Sequence, residues 1–243
     1  MKFHAQARSR TDYRGFSLVE LSVVILLITL LLGSILVPLG TQVDQRRISE
    51  TESRLEQIKE ALIGFALANS YLPCPAKSAT DGTEDRTGTA CTSGNRAGFL
   101  PWVTLGVTPS DSWDNLYRYS VSANYTNSDP LNLFTLISTR DITIRTRDPS
   151  GSLVNLSNAN EIPAVVVSFG KNGYGATGPG GIARFSPTGW AGDEHTNATG
   201  STTFIWRTST ENTGAAGGEF DDVVVWIPPA ILFSRMVAAG RLP

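Results

Sequence analysis

GFSLVELSVVILLITLLLGSILVPLG, residues Gly15 to Gly40, decides what kind of chain this is. From Phe16 to Val37 it is apolar almost throughout, with one ionisable side chain, Glu20. As a helix rising about 1.5 Å per residue, such a run spans roughly 30 Å, the thickness of a bilayer's hydrocarbon core. A carboxylate inside that core costs on the order of 2.5 to 3.5 kcal/mol, so a chain that keeps one there needs a partner for it. The run itself holds no positive charge. A cut after Gly15 would create one, the α-amino group of Phe16. That amine lies one helical turn from Glu20 in its own chain, and in a staggered bundle of identical helices it could meet Glu20 of a neighbour.

Arg14-Gly15-Phe16-Ser17-Leu18-Val19-Glu20 resembles the processing site of type IV pilins and type II secretion pseudopilins. The resemblance implies cleavage after Gly15 by a prepilin peptidase, N-methylation of Phe16, and a role for Glu20 in assembly. It also implies a pilin-like α+β fold, a long N-terminal helix packed on a mostly antiparallel sheet. Its partners would be other pilin or pseudopilin subunits, the peptidase and an inner-membrane assembly platform. On this reading residues 1–15 are the leader and 16–39 the transmembrane and assembly helix. Residues 40–70 are the periplasmic half of the helix and 71–243 the head. In a secretory signal peptide the apolar region precedes the cut, whereas here it follows, so the helix is expected to stay with the mature protein.

The chain has 243 residues, 41% hydrophobic and 17% charged, enough for one globular domain beside an anchor. The leader carries Lys2, Arg8, Arg10 and Arg14 against Asp12, so its removal takes the formal net charge from -2 to -5. Bulk charge therefore gives no sign of a nucleic-acid-binding surface. The basic leader favours a cytoplasmic N-terminus and a periplasmic head.

Pro38 ends the apolar run, where it can kink the helix. Beyond it Ile48, Leu55, Ile58, Leu62, Phe65 and Ala66 recur at spacings of three and four, one buried stripe of a resumed helix. Ser70-Tyr71-Leu72-Pro73-Cys74-Pro75 stops that helix. Residues 76–98 read as a surface loop, followed by strands at about 116–122, 132–138, 141–147, 163–169, 203–207 and 222–227. Pro228-Pro229 starts a short terminal helix.

The cysteines are Cys74 and Cys91. In a chain expected to reach the periplasm this lone pair reads as one disulfide, against two free buried thiols as the alternative.

The resemblance reaches weakly into the second half. Asp111-Ser112-Trp113-Asp114-Asn115-Leu116-Tyr117 is similar to a pseudopilin Asp-Pro-Trp-Gly-Asn-Pro-Tyr stretch. Val167 to Gly173 is similar to the family's Ser-x-Gly-Ala-Asp-Gly turn, and Asp222 to Trp226 to its closing Asp-Ile-x-x-Trp. Major pseudopilins bind calcium in the corresponding loop, which makes Asn172 and Asp222 candidate oxygen ligands, against the alternative of solvated loop residues.

Other motifs carry less. Gly173-x-Gly175-x-x-Gly178 satisfies a dinucleotide pattern, but Pro179-Gly180-Gly181 forbids the helix that must follow. His195, in a Gly-rich segment with Asp193 too close to orient it, is expected in an exposed loop rather than a catalytic triad. The triplets at Asn124, Asn155 and Asn197 are read as chance. The reading is a structural fibre subunit without catalytic residues, for secretion, pilus or DNA uptake, with a membrane-tethered enzyme or binding domain as the alternative.

Overall fold

The computed structural model describes residue 15 and residues 17–242, without the side chains of 32–39. Residues 1–14, Phe16 and Pro243, and with them most of the expected leader, lie outside the described residues. The elements in chain order are α1 (Leu18–Asn69), β1 (Arg86–Thr87), β2 (Ala90–Cys91), β3 (Ala97–Phe99), α2 (Trp102–Leu105), β4 (Arg118–Val121), β5 (Thr143–Arg147), β6 (Leu153–Asn155), β7 (Ala164–Ser168), α3 (Asp193–Thr199), β8 (Thr203–Ile205), β9 (Val223–Trp226) and α4 (Pro229–Ala238). The class is α+β, a long N-terminal helix followed by largely antiparallel sheets. The chain divides into two compact units, Met1–Arg46 and Arg47–Pro243.

In the first unit, α1 is helical through Pro38. The described aliphatic side chains from Leu18 to Leu31 are exposed around the helix, Leu18 by 87%. Among the described residues no helix is long and apolar enough to cross a membrane; the expected run includes the side chains of 32–39, which lie outside them.

The second unit is layered. Leu55, Ile58, Leu62 and Ala66 form the buried stripe that the spacing predicts, and Ile63 widens it. Phe65 is only partly buried, edge-on to Tyr71. This stripe and α4's Leu232 and Met236 pack on Tyr119, Val121, Ala164 and Val166, one face of the sheet ordered β3-β4-β7-β9. The other face presents Val165, Val167 and Val224 to Ile142, Ile144 and Phe204 of a second sheet, ordered β6-β5-β8. Covered on both faces, β7 is buried at all five positions, which explains the apolar run from Ala164 to Val167.

Three expectations need correction. Residues 132–138 form turns, not a strand. The Asp129 carboxylate accepts from the Leu131 amide and the Asn132 side chain, and the Ser138 hydroxyl from the Thr135 amide; these local bonds replace a ladder. Phe134 is buried there, stacked on Tyr125, while Leu131 and Ile137 are each 91% exposed. Second, 76–98 is not all loop: β1 and β2 pair, and β3 becomes an edge strand of the main sheet. Third, His195 lies on α3 rather than in a loop, because Asp193 and Asn197 anchor that helix from its buried side. The pairings are mostly antiparallel, as expected; β5 and β8 form the one parallel pairing among the described strands.

Candidate functional site

Gly15 is exposed, with no atom within 4 Å of where a Cβ would stand. Phe16, the other half of the expected cut, lies outside the described residues. Next to it the Ser17 hydroxyl accepts from the Glu20 amide at 3.2 Å, and the Glu20 carboxylate accepts from the Ser17 amide at 3.4 Å. This reciprocal pair is a capping box, which satisfies two amides that no helical carbonyl reaches. The Ser-x-x-Glu signal stands in the sequence, yet reading Glu20 for its burial alone misses it.

Cys74 and Cys91 are joined in a disulfide, with Cα atoms 5.4 Å apart. Both are buried. The Glu84 carboxylate accepts from the Cys74 amide at 3.1 Å and is paired with Arg86, whose guanidinium lies over the Tyr71 ring. The crosslink thus joins the end of α1 to the β1-β2 ribbon.

The three stretches that resemble pseudopilin motifs meet in space. The buried Asp111 carboxylate accepts from the Trp113 and Asn115 amides, each at 2.9 Å, and from the Ser168 hydroxyl at 2.6 Å. Burial raises this carboxyl above the usual range, and the bonds it accepts oppose that rise. Asn115 Nδ2 donates to the Gly170 carbonyl at 2.8 Å, and the Asn172 amide donates to Asp221 at 2.8 Å. Gly170, at φ +60°, must be glycine: a Cβ there would lie 2.4 Å from the Asp221 carbonyl oxygen.

At this junction Glu194, Asp221 and Asp222 each bring a carboxylate oxygen within 4.8 Å of the others. Two of them are deeply buried, Glu194 at 2% exposure and Asp222 at 7%. Burial, with Asp221's charge beside it, pushes the Glu194 carboxyl up to about 7, against the pull of the bonds it accepts. Burial raises Asp221 as well, and it raises Asp222 well above the usual range, with Glu194 adding to the effect. Three crowded acids with little water need protons or a cation between them.

The candidate ligands Asn172 and Asp222 both belong to this junction, but in different ways. The Asn172 side-chain amide donates to both Glu194 oxygens, at 3.0 and 3.1 Å, while its carbonyl accepts from the Tyr174 amide. Asp222 accepts from Asn197 Nδ2 at 2.8 Å on one oxygen, and its other oxygen is buried without a hydrogen-bond partner, as is Oδ1 of Asp221. Oxygens sharing one calcium at about 2.4 Å lie at most about 4.8 Å apart, so the three carboxylates fit that ion's ligand chemistry. Glu194 and Asp221 are the members that sequence reasoning missed. Glu194 comes from α3, which Asp193 fixes through a bidentate pair with Arg147 at 2.7 Å and an ion pair with Arg207 at 2.7 Å.

The remaining motifs resolve simply. Gly173 and Gly175 take positive φ in turns, and no helix starts between them and α3. His195 is exposed, edge-on to Trp190 at 5.1 Å.

No curated protein and no solved structure matches the chain. Residues 10–36 match the family model of the prokaryotic N-terminal methylation motif, the signature of type IV pilins and pseudopilins.

Proposed function

We propose that the chain is a structural subunit of a type II secretion pseudopilus or type IV pilus, cut after Gly15, methylated on Phe16 and drawn from the inner membrane into a fibre. The observation that carries this reading is the methylation motif at residues 10–36. The exposed aliphatic side chains from Leu18 to Leu31 support it, since a helix apolar all round must be covered by lipid or by other helices. On this reading residues 16–39 anchor the chain with its N-terminus cytoplasmic, 40–70 continue the helix in the periplasm, and 71–243 form the head. Glu20 then meets the Phe16 amine of an adjoining subunit. In cells with the peptidase, mass spectrometry of the membrane-extracted protein should find a chain of 228 residues beginning at N-methylated Phe16, the 243 residues less the 15 of the leader. An intact Met1 terminus in such cells would sink the proposal.

We also propose that Glu194, Asp221 and Asp222 hold calcium, with Asn172 orienting Glu194. When bound, the ion supplies charge neutralisation to three oxygens otherwise held too close together. The residues themselves tie α3, β9 and the 170–174 turn to one point.

A further inference from the structure

We propose that the cleft between the Ser112–Asn115 turn and the loop from Lys171 to Phe185 binds a phosphate-bearing anion. The cleft has a volume of about 420 Å³, the scale of a small-molecule site. Arg47, Lys171 and Arg184 line it, against the single carboxylate of Asp114. Arg184 is already positioned: its Nε donates to Asn115 Oδ1 at 3.2 Å and its Nη2 to the Asp114 carbonyl at 2.9 Å. A guanidinium fixed in this way loses little freedom on meeting an anion.

Two further donors lie just beneath the wall. Ser112 Oγ and Trp113 Nε1 are buried without a hydrogen-bond partner, and both residues line the cleft. An indole N–H can only donate, so its complement is an acceptor. Three cations from separate segments of the chain suit a group with several acceptor oxygens, as a phosphate has, better than the two-oxygen plane of a carboxylate. Phe185, 80% exposed, and Tyr174 form an aromatic rim for the organic part of an ester. The Glu194 carboxylate is separated from the cleft by Asn172, whose side-chain amide donates to it. The proposal does not depend on the chain being a fibre subunit.

The full chain in nonionic detergent is titrated by calorimetry with inorganic phosphate, and in a second arm with phosphatidylglycerol in mixed micelles. Saturable binding, weakened about tenfold in both Arg47→Gln and Lys171→Gln with unchanged near-UV circular dichroism, is the expected result. A response to both probes supports a soluble phosphate ester, and a response to phosphatidylglycerol alone supports a lipid headgroup. The proposal is overturned if neither probe binds at about 10 mM, a level weaker than about 3 kcal/mol of affinity, or if both variants bind as the parent does.

Discussion

Glu20 has two physical jobs that one substitution confounds. As part of the capping box it accepts from the Ser17 amide, and loss of such a cap costs about 0.5 to 2 kcal/mol. As the proposed counter-charge of a neighbour's Phe16 amine, its loss strands a charge in low dielectric, at about 3 to 5 kcal/mol. Glu20→Gln separates the two, because glutamine keeps the reach and the acceptor and drops the charge. If the charge drives assembly, Glu20→Gln and Glu20→Ala both abolish crosslinking between subunits, with membrane level and processing unchanged. Normal crosslinking and fibre recovery in Glu20→Gln would assign Glu20 to the cap alone. The methylation motif at residues 10–36 is legible because its meaning lies in local spacing. Glu194 is not, because nothing around it in sequence says that Asp221, 27 positions later, folds against it.

At the level of elements, apolar spacing was enough for the second half of α1, whose stripe of Leu55, Ile58, Leu62 and Ala66 is buried as read. Runs of β-branched residues likewise located β5, β7, β8 and β9. The same rule fails at 132–138, where Asp129 and Ser138 offer the backbone local partners. Helix α3 is illegible for the opposite reason: Asp193 to Thr199 has no apolar period, and the helix is held by Arg147, Arg207 and the Asn197 side chain bonded to Ile205. The segment from Pro75 to Ala90 has little core of its own, so its order depends on the disulfide, worth roughly 3 kcal/mol for a loop of this length. Cys74→Ser should therefore make this segment the first site of limited proteolysis. Equal proteolysis rates for parent and variant would show that Glu84 and Arg86 suffice to hold the ribbon.

For the molecule as a whole, the three crowded acids set a dependence on pH opposite to that of a salt-bridged carboxylate. Glu194 is raised from 4.5 to about 7 in the fold, so between those values the folded chain holds a proton that the unfolded chain has released. Its contribution is therefore full below about 4.5 and is lost as pH rises through about 7, on the order of 3 kcal/mol, or roughly 6 to 12 °C in Tm. Chelated protein should melt lower at pH 8 than at pH 5, calcium should restore Tm at pH 8, and Glu194→Gln should flatten the pH dependence and blunt the calcium response. A Tm in Glu194→Gln that falls with pH and rises with calcium as in the parent would place the cation elsewhere. The central strand β7 carries a consequence of another kind. Val166 pairs with Tyr119 on one side and with Val225 on the other, and both faces of the strand are covered by separate layers. Such distant pairings close slowly, because chain entropy is lost long before contacts repay it. The head cannot fold inward from its N-terminal end as it emerges: five consecutive buried residues stay without one neighbour until β9 has arrived. Arrival of β9 is therefore the step that ends the exposure of β7 to aggregation.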